Sequence, residues 1–293
     1  MKLTIIVLAA GMGTRMRSAM AKVLHPLAGR PLICHVLDAV VPLGPEKTVL
    51  VLGHQADRVR NVVEGYDVEV VYQAEQRGTG HAVRQAADVI SSASGPVMVL
   101  CADTPLLTPA IVRALADAHS RSGAAVTVMT AMPDDPTGYG RVVRGRAGVL
   151  RIVEEKDATA AQKKIREVNT GIYCFEKKFL LSALGGIKNK NAQGEYYLPD
   201  TIALARKGKR KVAAVLCQDP AEAMGINSRI DLSQAERILQ GRRNVRWMSE
   251  GVTLIDPMTV FISDETVIGR DTILYPNVRL EGKTTLGEGC TVY

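Results

Sequence analysis

The sequence predicts an α/β chain: a mostly parallel sheet covered by helices on both faces, followed by the opening coils of a parallel β-helix. Three observations carry this. Apolar strand-like runs alternate with amphipathic helical segments up to about residue 130. A six-residue aliphatic period then runs from Ile262 to Val292. The length, 293 residues, exceeds one typical domain and allows an α/β domain of about 230 residues plus an appendage.

The strand-like runs are Leu3 to Leu8, Thr48 to Leu52, Val68 to Tyr72, Val97 to Cys101 and Ala125 to Thr130. Between them Pro31 to Val41, Ala56 to Val63, Gly80 to Ile90 and Pro109 to His119 carry a helical apolar period. Strand and helix in alternation imply a parallel sheet buried on both faces. Ligands of such sheets bind beyond the carboxyl ends of the strands, so chemistry is expected in the loops after Leu8, Tyr72 and Cys101.

After about Met132 the alternation loosens into turns, Pro133-Asp134-Asp135-Pro136 and Thr137-Gly138-Tyr139-Gly140, which predicts an inserted half rather than more of the same sheet. A basic helical stretch from Arg229 to Met248 reads as a connector. Beyond it Ile262, Ile268, Leu274, Leu280, Leu286 and Val292 fall six residues apart, and Gly269 and Gly287 each follow one of them. This period marks a parallel β-helix, in which each short strand stacks its aliphatic residue on the coil below.

Composition narrows the class. Charged residues make up 23% and hydrophobic ones 46%, ordinary for a globular chain, and no apolar run reaches the ~18 residues of a membrane span. Met1-Lys2 followed by Leu3 to Ala10 resembles the start of a secretory signal with Ala19 and Ala21 near a cleavage point, but Arg15 and Arg17 between them argue against it. The five cysteines, Cys34, Cys101, Cys174, Cys217 and Cys290, are scattered and never form C-x-x-C, as expected for buried thiols in a reducing cytoplasm. A formal charge of +7 admits nucleic acid, yet aromatics are only 4%. Moreover Lys163-Lys164-Arg166 and Lys207-Lys209-Arg210-Lys211 lack interleaved rings for base stacking. Neither nucleic acid nor a membrane is expected as a partner. A positive field also suits an enzyme that acts on triphosphates.

The first loop reads Leu8-Ala9-Ala10-Gly11-Met12-Gly13-Thr14-Arg15-Met16. Small residues let backbone N–H groups approach an anion closely. It is not a Walker loop, which needs Gly-Lys-Ser/Thr after four intervening residues, and Met16 stands where the dinucleotide fingerprint requires glycine or alanine. Arg15 after the turn and Lys22 seven residues on supply the guanidinium and ammonium charges that a transferring phosphate requires.

Followed by Lys22 and Leu27-Ala28-Gly29-Arg30-Pro31-Leu32, this loop resembles the signature of sugar-phosphate nucleotidylyltransferases. Further segments narrow the resemblance: Gln73-Ala74-Glu75-Gln76-Arg77-Gly78-Thr79-Gly80-His81-Ala82, Tyr139-Gly140-Arg141, Glu154-Glu155-Lys156-Asp157-Ala158, Asn169-Thr170-Gly171, Asn191 to Leu198 and Gly225-Ile226-Asn227. They are similar to the bacterial bifunctional N-acetylglucosamine-1-phosphate uridylyltransferase/glucosamine-1-phosphate acetyltransferases. The resemblance implies a Rossmann-like nucleotidyltransferase domain over 1–228, a connecting helix over 229–250, and the start of a hexapeptide-repeat, left-handed β-helix over 251–293. It implies a cytoplasmic enzyme that joins UTP to N-acetylglucosamine 1-phosphate, giving UDP-N-acetylglucosamine for peptidoglycan and lipopolysaccharide precursors.

Carried over position by position, the resemblance implies that the backbone of Leu8, Ala9, Ala10 and Gly11 lines the uracil and ribose. Gln73, Gly78 and Thr79 would read the base edge. Gly140, Glu154, Asn169, Glu195 and Tyr197 would hold the N-acetylhexosamine, Asp103 and Asn227 would hold Mg²⁺, and Arg15 and Lys22 would be the catalytic cations. Hard oxygen ligands suit Mg²⁺, which retains several waters and needs only one or two protein groups. His25 and His81 read as structural because a sugar phosphate is already an anionic nucleophile, and Cys101 reads as packing rather than a nucleophile. Ala21, Ala102 and Pro199 depart from the family pattern of proline, glycine and threonine at these places. Two alternatives stay open: another nucleotide and sugar 1-phosphate pair, or a non-catalytic nucleotide-sugar sensor. The short hexad register implies uridylyl transfer without acetyl transfer, and at most a weak homotrimer through the β-helix.

Overall fold

The computed structural model describes residues 2–293, which divide into two compact units: residues 2–25 with Pro31–Asn227, and Pro26–Arg30 with Ser228–Tyr293. The first unit is organised by a nine-stranded sheet. Its main path runs Val212–Leu216, Val126–Ala131, Val168–Phe175, Val97–Cys101, Thr4–Ala9, Lys47–Leu52 and Glu69–Tyr72. Neighbours pair in parallel, except that Val168–Phe175 is antiparallel to both strands beside it. The hairpin Arg141–Gly145 and Gly148–Val153 joins through Arg141 and Val168.

The first strand shows why the apolar runs are unbroken. Ile5, Val7 and Ala9 enter one core layer and Ile6 and Ala10 the other. Helices Leu32–Val40 and Pro109–Ser122 fill the first layer with Ile33, Val36, Leu37, Val112 and Leu115. Helices Thr79–Arg84, Ala87–Ser92, Lys177–Gly186 and Asp200–Lys207 fill the second with Val83, Ile90, Leu180, Leu184 and Ile202. A strand buried on both faces has no polar side to alternate with.

Two expectations are corrected. The segment Gly80 to Ile90 is two short helices, because the amides of Gln85 and Ala86 bond only three residues back, to Ala82 and Val83, while the Gln85 side chain takes the His81 carbonyl at 3.1 Å. The half after Met132 is not wholly separate from the sheet. Val168–Phe175 inserts between Val97–Cys101 and Val126–Ala131, burying Ile172, Tyr173, Cys174 and Phe175, and Val212–Leu216 extends the sheet further.

In the second unit the helix Arg229–Ser249 opens on a reciprocal cap. Ser228 Oγ accepts from the Asp231 amide at 3.2 Å and the Asp231 carboxylate from the Ser228 amide at 2.9 Å. Seven two-residue strands then form three parallel ladders, with Phe261 beside Arg279, Val267 beside Thr285 and Ile273 beside Thr291. Each coil therefore takes three hexads. Ile262, Ile268, Leu274 and Leu280 point into its core, with Leu286 and Val292 packed against them. The helix is tied to the first coil where Asn244 Nδ2 donates to the carbonyls of Pro257 at 2.7 Å and Val260 at 3.0 Å. No helix among the described residues is long and apolar enough to cross a membrane.

Candidate active site

The strand Thr4–Ala9 has Lys47–Leu52 on one side and Val97–Cys101 on the other, so the chain order reverses there and the loops at its carboxyl end diverge to open a crevice. A cleft of about 410 Å³ lies at this point, lined by residues 8–14, Lys22, Gln73, Gln76, Gly78, Thr79, Cys101, Asp103 and Glu195 among others. A concavity of about 580 Å³ in the second unit is larger, but its Arg243 and Arg279 are already paired with Asp264 and Glu281.

The first loop folds tightly. Gly13 has φ 64° and leads into the single turn Thr14–Met16. A Cβ on Gly13 would lie 2.5 Å from Cβ of Lys22. Only a residue without a side chain lets Lys22 pass there in this backbone conformation. The lysine reaches two oxygens from distant segments: its Nζ donates to the Asp103 carboxylate and, at 3.1 Å, to Asn227 Oδ1. The same Asn227 oxygen accepts from Arg15 at 2.8 Å. Backbone bonds hold this group in place, with the Ala102 amide on the Leu8 carbonyl at 3.0 Å and the Ile226 amide on the Asp103 carbonyl at 2.8 Å. Arg15, Lys22, Asp103 and Asn227 thus converge. Ala21 and Ala102, next in the chain to Lys22 and Asp103, are buried.

On the other wall, Gln73 is buried and its Nε2 meets the Gly78 carbonyl at 3.2 Å and His81 Nδ1 at 2.9 Å. Its carboxamide oxygen makes no side-chain bond among the described residues. The structural reading of His81 acquires a definite content here: the ring holds Gln73. Gly78, with φ 100°, touches the next segment so closely that a Cβ would lie 2.7 Å from the Tyr196 carbonyl. The Thr79 hydroxyl accepts the Leu198 amide at 3.0 Å, so it anchors the 194–198 loop.

The remaining candidates form a second group. The Asn169 amide donates to the Gly140 carbonyl at 2.8 Å, and a Cβ on Gly140 would meet Glu154 Oε1 at 3.0 Å. Burial, reinforced by the nearby charges of Asp157, Asp200 and Glu195, pushes the Glu154 carboxyl up to about 7. Burial also raises Glu195 and Asp200. Tyr197 is buried, its hydroxyl accepting from Gln193 Nε2 at 2.7 Å, and burial pushes it up to about 12. Fully buried Arg141 pairs with Glu155 at 2.8 Å, which links the chain neighbours of Gly140 and Glu154. Pro199 caps the helix Asp200–Lys207, where a missing N–H costs nothing.

Cys101 lies between the two groups. Burial, then the charge of Asp103, pushes its thiol up to about 12, so it carries no thiolate near neutrality. Sequence reasoning passed over Gln76, Asp157 and Asp200. Gln76 lay within a quoted motif, and Asp157 stood three residues from Glu154, but Asp200 had no local signal.

Residues 5–168 match the family model of the MobA-like NTP transferase domain. The chain is 51% identical over 292 residues to the Bifunctional protein GlmU of Heliobacterium modesticaldum, covering 99% of this chain and 64% of that protein. It is 48% identical over 288 residues to the protein of that name from Shouchella clausii, covering 98% and 63%. The one from Geobacter metallireducens is 47% identical over 292 residues, covering 99% and 61%. The chain therefore spans somewhat less than two thirds of the length of these relatives. With its glycine-rich first loop, its crevice at the reversal of strand order and this match, the chain belongs to the MobA-like NTP transferase domain family.

Proposed function

We propose that the chain transfers UMP from UTP to N-acetylglucosamine 1-phosphate, giving UDP-N-acetylglucosamine and pyrophosphate. The observation that carries this reading is the meeting of Arg15, Lys22, Asp103 and Asn227 at the mouth of a cleft walled by the glycine-rich loop and Gln73. A phosphate oxygen of the sugar 1-phosphate attacks the α-phosphorus of UTP. The new P–O bond forms as the α–β bridging bond breaks, and its electron pair leaves with pyrophosphate on the opposite side. No side-chain base is needed, and the protein contributes positioning and charge. The backbone of Leu8 to Gly11 seats the nucleoside, with Gln73 and Gly78 at the base edge. Gly140, Glu154, Asn169 and Glu195 face the sugar. Arg15 and Lys22 neutralise charge that grows on the leaving pyrophosphate.

Asp103 and Asn227 fit a magnesium site. Their oxygens already aim at one cation, the Lys22 ammonium, so they converge on one place. Both are hard oxygen donors, and two such groups with waters are what Mg²⁺ takes. Bound there, Mg²⁺ would supply charge neutralisation on the substrate phosphates.

Pyrophosphate release from UTP and N-acetylglucosamine 1-phosphate, compared with dTTP and glucose 1-phosphate and with GTP and mannose 1-phosphate, tests the reading. The first pair is expected to give the highest kcat/KM. Faster release from another pair would reassign the substrates, and binding without release would mark a sensor.

A further inference from the structure

The strand Val168–Phe175 slips register against Val126–Ala131: Asn169 lies opposite Thr130, but Tyr173 lies opposite Val128. The strand therefore carries a bulge between Asn169 and Tyr173, and bulges beside active sites re-aim side chains. Within it Gly171 takes φ 80°, and the Thr170 hydroxyl donates to the Met129 carbonyl at 2.8 Å. The consequence is that two donors meet one acceptor. Asn169 Oδ1 accepts from the Gly171 amide at 3.0 Å and from the Tyr173 phenol at 2.7 Å. A main-chain N–H can only donate, so the carboxamide oxygen must be on that side and the NH₂ on the other. That NH₂ has no protein acceptor among the described residues. Asn169 itself stands in the group with Gly140 and Glu154, since its main-chain N–H bonds the Gly140 carbonyl and Gly140 lies against Glu154.

We propose that Tyr173 is a positioning residue for the sugar side of the site: with the Gly171 amide it holds Asn169 as an obligate hydrogen-bond donor toward an oxygen acceptor on the sugar phosphate. This rests on the sugar 1-phosphate reading above. Tyr173 is suited to the task because it cannot move or ionise. It is 1% exposed and stacks on Phe175 at 5.6 Å between ring centroids. Burial, then the charge of Glu154, holds its phenol well above its ordinary range, so it remains a donor at any working pH. Without the phenol, the Gly171 amide alone opposes rotation of the carboxamide, which would turn its oxygen toward the sugar and leave the sugar's acceptor unpaired.

In Tyr173→Phe, KM for N-acetylglucosamine 1-phosphate should rise about tenfold, the worth of one well-made hydrogen bond, while kcat and KM for UTP stay within about twofold. In an Asn169→Ala background the same change should add nothing, because Tyr173 acts through Asn169. Equal losses in kcat and both KM values, or additive losses in the double variant, would overturn the proposal. A readout independent of turnover is the carboxamide resonance pair of Asn169 in ¹⁵N-asparagine-labelled protein, identified by its absence in Asn169→Ala. It should shift and exchange faster in Tyr173→Phe, and an unchanged pair refutes the positioning role even if the enzyme uses other substrates. Failure of the wild-type chain to convert UTP and N-acetylglucosamine 1-phosphate would instead remove the substrate reading and leave the resonance test standing. Should Tyr173→Phe not fold, Asn169→Asp keeps an acceptor for both donors but replaces the NH₂ by a carboxylate oxygen that cannot donate when ionised. It should weaken sugar phosphate binding about tenfold, and undiminished binding overturns the proposal.

Discussion

On one side of the cleft, Arg15 of the first loop and Lys22 beyond it meet oxygen acceptors: Lys22 on Asp103 and Asn227, and Arg15 on Asn227. In the second group of candidates, proposed to face the sugar, acids crowd one another: Glu154 lies among Asp157, Asp200 and Glu195, and burial pushes it up to about 7. The difference follows the charge of what each end would bind. A polyphosphate needs cations held in place before it arrives, and pairing them with oxygens keeps them ordered without neutralising the whole site. A neutral sugar ring offers only hydroxyls and an amide, so a partly protonated carboxyl and a fixed asparagine match it by hydrogen bonds. The first end is stabilised by its charges, whereas the second is strained by them.

The contrast breaks most sharply at Asp103. Asp103→Asn removes the anion that pairs with Lys22 and, in the proposed site, a magnesium ligand. Pyrophosphate release at saturating UTP and Mg²⁺ should fall by at least about a hundredfold while the melting temperature stays near that of the wild type. Near-normal turnover would show that this end does not depend on the paired anion.

Arg15→Ala is the intermediate case. In the proposed mechanism its partner is the leaving pyrophosphate, whose charge grows in the transition state, so turnover should drop by roughly tenfold or more with little change in UTP affinity. A sharp loss of affinity at unchanged kcat would instead make Arg15 a ground-state binding group.

The smallest effect lies at the sugar end and concerns stability. Glu154 has an ordinary value of 4.5 and about 7 in the fold. Between these values the native protein retains a proton that the unfolded chain has released, so stability falls as pH rises through that window. Below it there is no cost, and above it the cost is complete. Glu154→Gln carries no such charge. By calorimetry it should melt above the wild type at pH 8 by a few degrees, and within about a degree of it near pH 4.5. A pH-independent difference would mean that the acid cluster is relieved by solvent.

Local patterns sufficed for much of this molecule. The run Val97 to Cys101 is a strand with those bounds, and the hexad aliphatics from Ile262 to Leu280 are the core of the coils. Both depend on period and burial, which neighbouring residues encode. The glycine-rich turn with Arg15 and Lys22 stood out in the sequence for the same reason, since a tight turn and its cations are adjacent in the chain, and the fold sets Lys22 in the cleft wall. The resemblance supplied Asp103, Asn227 and the sugar-side candidates, which no spacing reveals. Asn227 stands 212 residues from the arginine it bonds.

Folding alone decided the rest. The insertion of Val168–Phe175 into the sheet depends on long-range pairing, which overrides the looser local pattern after Met132. The bulge between Asn169 and Tyr173, and the phenol of Tyr173 donating to Asn169, follow from that insertion. The raised carboxyl of Glu154 follows from bringing Asp157, Asp200 and Glu195 to one place. A sequence states which groups can ionise or donate. Their orientation and protonation depend on the neighbours that the fold brings to them, because desolvation and hydrogen bonding act through space rather than along the chain.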